Sequence, residues 1–132
     1  MSGLVDVLLV ALGGGVGAAA RFWVADTVRA RRPSGFPWGT WTVNVVGSFV
    51  VGLLAGWVLA GWSPAGEHWR LLLAVGLCGG FTTFSTASVE TATLLQAGRV
   101  RLAVLHALST LVVSVAAVAA GLTVVTLLPL AR

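Results

Sequence analysis

The sequence GGFTTFST occupies residues 79–86 in the middle of an otherwise apolar chain. It contains two glycines and four hydroxyl side chains, where a membrane-spanning helix ordinarily carries leucine and valine. Because the bilayer core holds no water, polar side chains and freed backbone groups must find partners inside the protein. The residues around this stretch therefore decide which fold the chain adopts.

The composition of the chain is that of an integral membrane protein. Its 132 residues are 58% hydrophobic and 9% charged, with a mean hydropathy of +0.99, whereas soluble domains average about 25% charged residues. The length fits one domain, residues 1–132. The net charge of +4 includes no lysine, and arginines in such a chain flank membrane spans and set their orientation. We therefore expect no nucleic-acid partner.

The reactive residues are too few for the common enzyme and metal sites. A single cysteine, Cys78, leaves no internal disulfide and no cysteine cluster. His68 and His106 are too far apart in sequence for a metal-ligand motif. The sequence also lacks a phosphate-binding loop, a nucleophile elbow and an aqueous carboxylate pair. We expect a protein that is not an enzyme.

Four apolar stretches are long enough for transmembrane helices, which need about 20 residues each. They cover residues 4–27, 39–61, 70–97 and 101–128, and the connections between them are 29–37, 61–69 and 97–99. The first stretch lacks the basic residues that begin a signal peptide, so it is interpreted as a span. The sequence predicts an all-α integral membrane fold of four helices, each antiparallel to its neighbour.

The arginines bias the orientation only weakly. Five arginines lie in the loops after spans one and three: Arg29, Arg31, Arg32, Arg99 and Arg101. Two lie on the opposite side, Arg70 and Arg132. The positive-inside rule places the five-arginine side in the cytoplasm and both termini outside. So small an excess permits a chain that inserts in both orientations, or one fixed orientation with an inverted partner.

Small and polar residues recur at steps of four on the first two spans, so they share a helix face. They are Gly13, Gly17 and Arg21 on span one, and Asn44, Ser48, Gly52 and Gly56 on span two. The glycines predict close helix packing. We expect Arg21 in an aqueous vestibule rather than snorkelling to the membrane surface. The Asn44 amide fits an interhelical hydrogen bond and a pore lining equally well.

Span three is longer than a straight crossing requires. Its 28 residues, 70–97, extend about 42 Å at about 1.5 Å per residue, against a hydrocarbon core of about 30 Å. Gly76, Gly79 and Gly80 cluster near its midpoint and favour a break in the helix. Carbonyls freed by a break are tolerated inside protein or beside water, where they form ion sites. The alternative is a close glycine contact between helices.

Two phenylalanines and a run of hydroxyls follow these glycines. Phe81 and Phe84 share a helix face, and their electropositive ring edges can contact an anion, although ordinary packing is the alternative. The hydroxyls can donate along the same route or bond back to helix carbonyls. They belong to Thr82, Thr83, Ser85 and Thr86.

Polar residues on the remaining parts of spans three and four are sparser. Glu90 is the one carboxylate well inside a span, and it fits proton transfer, cation binding or a hydrogen bond from Thr86. On span four, His106, Thr110 and Ser114 recur at steps of four, with Ser109 beside them. Taken alone, that pattern is typical of helix packing.

Three motifs, in order along the chain, resemble those of the small bacterial fluoride channels, the Fluc or CrcB family. They are GGGVGAAAR (13–21), PWGTWTVNVVGSFVVG (37–52) and GLCGGFTTFSTASVE (76–90). The resemblance implies four-helix subunits with a broken third helix in an antiparallel dimer, formed with itself or with a homologous inverted subunit. It implies two fluoride pores along the subunit interface and a structural sodium ion at the dimer centre, in the bacterial inner (plasma) membrane.

The resemblance also implies roles for individual residues. Phe81 and Phe84 match the aromatic box that contacts fluoride, and the backbone carbonyls of Gly76 and Gly79 match the sodium ligands. Ala87 departs from the family, which commonly has phenylalanine there. The other matches are Asn44 to the pore asparagine, Arg21 to the vestibule arginine, Thr82, Thr83, Ser85 and Thr86 to the hydroxyl segment, Ser109 or Ser114 to the fourth helix, and Glu90 to polar-track support.

The implied function is a passive, fluoride-selective channel that exports cytoplasmic fluoride and so protects against fluoride toxicity. Two alternatives stay open. A small proton-coupled multidrug exporter needs a titratable carboxylate in its substrate chamber, for which Glu90 is the candidate. A non-transporting structural subunit explains the glycine stripes, but it does not explain Asn44 together with the hydroxyls.

Overall fold

A computed structural model of the chain describes residues 2–61 and 67–128. Trp62 and Pro64 of the predicted 61–69 connection lie outside the described residues, as does Arg132. Within the described ranges every regular element is helical. Four helical spans are long and apolar enough to cross a membrane, so the prediction of an all-α fold with four such helices is confirmed. They are Gly3–Arg31, Trp38–Leu59, Glu67–Gln96 and Val100–Leu127.

Spans one, two and four are each a single helix, whereas span three is composite. The single helices are α1 (Ser2–Arg31), α2 (Trp38–Leu59) and α6 (Val100–Leu127). Span three consists of α3 (Glu67–Trp69), a π-helical segment (Arg70–Cys78), α4 (Gly79–Phe81) and α5 (Phe84–Gln96).

The ends of the long helices follow the local chemistry of the chain. α1 continues one turn past the apolar stretch 4–27, because no helix breaker occurs before Pro33. Gly61 and Gly98 follow α2 and α5 with φ angles of +80° and +75°. These are the left-handed conformations in which glycine commonly ends a helix.

Two residues between α4 and α5 leave the helical conformation. Thr82 has φ −78° and ψ 157°, and Thr83 has φ −149° and ψ 115°, so both are extended. We call Thr82 and Thr83 the extended pair. The three glycines that favour a break are themselves helical and precede the extended pair: Gly76 lies in the π-helical segment, and Gly79 and Gly80 lie in α4.

Glycines bring α1 into backbone contact with the first part of span three. A Cβ on Gly13 would overlap the Leu72 carbonyl oxygen, and a Cβ on Gly17 would overlap that of Leu77. From the opposite side, a Cβ on Gly80 would overlap the backbone of α1. We call this contact the first glycine seam. It is the small-residue packing that lets two membrane helices approach closely.

A second glycine seam joins α2 to α6. A Cβ on Gly52 would overlap the Val118 carbonyl oxygen, and one on Gly56 would lie 2.8 Å from the Cβ of Val125. Gly121 of α6 meets the backbone of α2 in the same way. The two seams make two closely packed helix pairs. The extended pair contacts Asn44 of α2, and α5 packs mainly against α6.

We expect Gly13→Ala to lower the free energy of unfolding in detergent by about 1–3 kcal/mol, because the added methyl forces a backbone shift. Gly15→Ala on the same helix is the matched control, since a Cβ there meets nothing within 4 Å. Thermal unfolding of both variants in one detergent measures the difference. Equal melting temperatures would contradict the first glycine seam.

Candidate functional site

The side chain of Asn44 in α2 pairs with the backbone of the extended pair. Its Nδ2 donates to the Thr83 carbonyl oxygen at 3.0 Å, and its Oδ1 accepts from the Thr83 N–H at 2.8 Å. Asn44 and Thr83 are only 8% and 7% exposed. Because buried backbone groups need partners, this amide satisfies both polar groups of a residue that has left the helix.

This pairing changes the hydrogen bonds of the preceding turn. In a continuous α-helix the Thr83 N–H would donate to the Gly79 carbonyl, four residues earlier, but here it donates to Asn44. Gly79 is exposed, and nothing lies within 4 Å of the position of its Cβ. The Gly76 carbonyl accepts the Gly79 N–H, and Gly76 is buried against α1. The two glycines expected to bind sodium thus differ in exposure.

Three of the four predicted hydroxyls gather at the start of α5. Thr83 Oγ1 accepts from the Thr86 N–H at 3.1 Å and so caps this helix. The same oxygen donates to Thr86 Oγ1 at 3.0 Å and lies 3.3 Å from Ser85 Oγ. The Thr82 hydroxyl instead donates back to the Cys78 carbonyl at 2.9 Å.

The two phenylalanines have different surroundings. Phe84 is 88% exposed in the single chain. The Phe81 ring is half-buried, and its Cδ1 lies 3.1 Å from the position of a Cβ on Gly47. Glycine at position 47 of α2 therefore makes room for the Phe81 ring. Phe84 instead projects from the surface of the single chain.

Phe84 lines an open groove of about 690 Å³, which we call the Phe84 groove. The hydroxyls of Thr110 and Ser114 on α6 are buried and have no hydrogen-bond partner in the part of the chain that the structure describes. They are therefore free to donate to another molecule in the groove. Its polar and aromatic lining comes from Asn44, Ser48, Thr82, Thr83, Phe84, Ser88, Thr91, Thr110 and Ser114.

Two smaller cavities lie on the side of the Phe84 groove nearer the 32–37 loop. The Arg21 cavity, about 330 Å³, brings Arg21 together with Thr40, Thr83 and Thr86. The Glu90 cavity, about 160 Å³, is lined by Arg29, Arg32, Thr40 and Glu90, among others. Thr83 lines both the groove and the Arg21 cavity, and Thr40 lines both small cavities. The three spaces thus form a series with shared walls.

The carboxylate of Glu90 connects α5 to both α2 and α6. Thr40 Oγ1 donates to Oε1 at 2.9 Å, and Oε2 lies 3.5 Å from His106 Nε2. His106 is fully buried, whereas 26% of the Glu90 side chain is exposed. The hydrogen bond from Thr86 that the sequence suggested is not the one observed, since Thr86 bonds with Thr83 instead.

The two candidate serines of span four are separated by the fold. Ser109 Oγ accepts from Trp41 Nε1 at 3.2 Å, which ties α6 to α2. Ser114 lines the Phe84 groove. Of these two serines, Ser114 is therefore the one placed beside Asn44 and Phe84.

Sequence reasoning missed Thr40, which binds Glu90 and lines both small cavities. The signal for it was present, because Thr40 extends the step-of-four series of Asn44 and Ser48 backward by one turn. It also missed the contact between Glu90 and His106. That contact joins two different helices, which the spacing within one helix does not reveal.

These features define a class, a multi-pass helical membrane protein with polar side chains lining cavities in its bundle. The chain belongs to the family described as CrcB-like protein, Camphor Resistance (CrcB), which matches residues 8–122. The resemblance of its motifs to this family is therefore confirmed.

Relatives with the printed name fluoride-specific ion channel FluC cover most of the chain. That of Novosphingobium aromaticivorans is 48% identical over 117 residues, which is 87% of this chain and 91% of the relative. That of Caulobacter vibrioides is 43% identical over 118 residues, 89% of this chain and 93% of the relative. That of Agrobacterium fabrum is 43% identical over 120 residues, 90% and 94% respectively.

We expect Asn44→Asp to loosen the extended pair, because an ionised carboxylate has no proton to donate to the Thr83 carbonyl. A buried carbonyl without a donor costs about 1–3 kcal/mol. Protonation of the aspartate in acid restores a donor, so its melting-temperature deficit relative to wild type should shrink at low pH. Thermal melts at neutral and acidic pH measure this.

Ser48→Ala is the matched control for this variant, since Ser48 lies one turn along α2 and lines the groove outside the Asn44–Thr83 pair. Its melting temperature should follow that of the wild type at both pH values. An Asn44→Asp deficit that does not change with pH would show that the amide donor is unimportant.

Proposed function

We propose that the chain is a fluoride-selective passive ion channel of the bacterial inner membrane, which exports cytoplasmic fluoride and so protects against fluoride toxicity. Relatives at 43–48% identity carry the name of such a channel. The structural observation that carries the proposal is the Phe84 groove, where an aromatic ring, the Asn44 amide and unpartnered hydroxyls line one cleft.

The chemistry of fluoride explains why such a lining suits it. Fluoride is small and strongly hydrated, so a narrow pathway must replace its water with donors. The Thr110 and Ser114 hydroxyls can turn their hydrogens toward an anion, and the edge of the Phe84 ring adds a weaker positive field. Arg21, in the adjoining cavity, attracts anions toward the path without lying in the groove.

The groove needs a second wall, because Phe84 projects from the single chain. We infer that an inverted second copy, or a homologous inverted chain, supplies it and that two pores form along the interface. A small excess of arginines on one side agrees with a chain able to insert in both orientations. The extended pair then serves as the break in the third helix that presents Phe84 to the partner.

The other residues predicted for the pore keep this role as part of the proposal. Thr83 and Thr86 line the Arg21 cavity and lead fluoride into the groove. Phe81, whose ring packs beside Gly47, keeps the predicted ring-edge contact with fluoride. Thr82 lines the groove itself, and Ser85 and Ser109 each neighbour a lining residue in sequence.

Passive flow is sufficient for protection. Neutral hydrofluoric acid crosses the membrane and ionises in the less acidic cytoplasm, where the anion is trapped. A pathway for the anion then lets it leave down its electrochemical gradient. The chain must replace the hydration water of fluoride and exclude anions that are larger or accept weaker hydrogen bonds. Fixed donors on rigid helices do both.

We also propose a structural sodium ion at the dimer centre, held by the carbonyls of Gly76 and Gly79. The Gly79 carbonyl fits this role, because its α-helical donor, the Thr83 N–H, is bonded to Asn44 and Gly79 is exposed in the single chain. The Gly76 carbonyl accepts the Gly79 N–H and keeps a second lone pair. Bound sodium would supply fixed positive potential beside the pathway.

Efflux of fluoride from loaded liposomes, followed with a fluoride electrode, tests the channel. The protein should release fluoride but not chloride, with any partner chain included, and efflux equal to that of empty liposomes would remove the proposal. Phe84→Ile should leave the dimer assembled, by size-exclusion chromatography, while it slows fluoride efflux by about tenfold or more through loss of the ring edge.

Val89→Ala is the matched control for Phe84→Ile, since Val89 is an exposed residue of the same helix that lines none of the three cavities. Its efflux should equal that of the wild type. Glu90→Gln separates the channel from a proton-coupled exporter, because an exporter loses all transport with its titratable carboxylate. Loss of assembly in Phe84→Ile would favour a packing role.

Elemental analysis tests the sodium ion. Protein purified in potassium buffer without sodium should retain sodium as a dimer, because carbonyls buried at an interface release the ion slowly. Dissociation of the dimer into single chains should release it. A dimer that contains no sodium would overturn this part of the proposal while leaving the fluoride pathway untouched.

A further inference from the structure

His106 in α6 is a buried titratable group that the proposed pore does not use. It is 0% exposed, and neither ring nitrogen has a hydrogen-bond partner among residues 2–61 and 67–128. Glu90 Oε2, also buried without a hydrogen bond there, lies 3.5 Å from its Nε2. Buried polar groups without hydrogen bonds are costly. A proton on the His106 ring would convert His106 and Glu90 into an ion pair.

The surroundings of the ring contain one charged group, Glu90 of α5, within the part of the chain that is described. The backbone of Ala87, also in α5, lies near the ring, but the geometry does not meet the criteria for a hydrogen bond. From the 32–37 loop, the Phe36 ring packs edge-on with centroids 5.5 Å apart. From α2, uncharged Thr40 binds the other carboxylate oxygen of Glu90.

The remaining charges near this cluster belong to α1, to the loop that follows it and to Arg99, whose guanidinium lies against Gly35 of that loop. Arg29 and Arg32 line the Glu90 cavity together with the carboxylate. The guanidinium of Arg32 also lies over the Trp38 ring, 5.1 Å from its centroid. An anion in this cavity therefore meets two arginines and one carboxylate, and the charge of that carboxylate depends on its partner in α6.

We propose that His106 sets the net charge at Glu90, so that a proton on His106 promotes passage of fluoride through the Glu90 cavity. The proposal rests on the fluoride pathway proposed above. With a neutral imidazole, the Glu90 carboxylate keeps a negative charge that opposes the attraction of Arg29 and Arg32 for fluoride. With an imidazolium, the pair is neutral, and the two arginines of the cavity determine its potential.

The position of Thr40 extends this effect along the route. Thr40 donates to Glu90 and lines both the Glu90 and the Arg21 cavities. The carboxylate is thus held where the two spaces meet. His106 is a positioning residue, because it touches neither cavity and acts through Glu90.

Fluoride efflux as a function of pH tests the proposal, with the same pH on both sides of the liposome. The range runs from about pH 8 to about pH 5, in which histidine titrates, and protein-free liposomes at each pH correct for leakage of hydrofluoric acid. The wild-type initial rate should rise about tenfold toward acid, as one compensated charge allows. His106→Gln should stay near the alkaline rate throughout.

Two further variants make the experiment specific. Glu90→Gln should also lose the pH dependence, but its rate should lie near the acid rate of the wild type, because no anion is left to compensate. His68→Gln removes the only other histidine of the chain, which lies beside Asp6 and away from this cluster. It should keep the full wild-type pH profile.

A wild-type rate that does not change over this range, or a rise that persists in His106→Gln, would overturn the role of His106. Absence of efflux at every pH would instead remove the fluoride pathway itself, so the two failures are distinguishable. A second measurement covers a His106→Gln variant that does not fold. In His68→Gln, the ring signals of His106 in nuclear magnetic resonance spectra should titrate as the pH is lowered, and added Glu90→Gln should move the midpoint. Signals that do not titrate, or an unmoved midpoint, would overturn the proposal.

Discussion

The pairing of the Asn44 side chain with the Thr83 backbone is the constraint on which the rest of the structure depends. Two extended residues inside a membrane protein leave an N–H and a carbonyl that water cannot reach, and one amide satisfies both. Span three can therefore stop at Phe81 and start again at Phe84 without an unpaired backbone group at Thr83. α5, which begins at Phe84, uses the Thr83 hydroxyl as its N-cap. Thr83 therefore pairs with Asn44 through its backbone and caps α5 through its side chain.

The glycine seams give this junction a rigid frame. Each seam brings backbone against backbone, which fixes the spacing of a helix pair more closely than flexible side chains do. The polar residues then lie on elements that cannot easily move apart, as a site for a small ion needs. α5 belongs to neither seam, and its polar contacts to α2 and α6 run through the carboxylate of Glu90.

The sequence predicted what depends on local spacing, and missed what depends on contacts between distant segments. The four spans and the packing glycines follow from apolar length and steps of four, which one helix displays by itself. The pairing of Asn44 with Thr83 joins residues 39 positions apart, and no periodicity relates two different helices. For the intramembrane carboxylate, proximity suggested Thr86, whereas Thr40, 50 positions away, binds it. No propensity pattern in the sequence predicts the π-helical segment 70–78.

The glycine seams also determine which positions of this sequence can accept substitutions during evolution. A bulky side chain that meets another side chain can be accommodated by a smaller neighbour, but along the seams the obstacle is mostly main chain, which every amino acid shares. Compensating changes are therefore scarce there. The outer apolar faces carry no such obstacle, so the protein can adapt to thicker, thinner or differently composed bilayers while its polar interior stays the same.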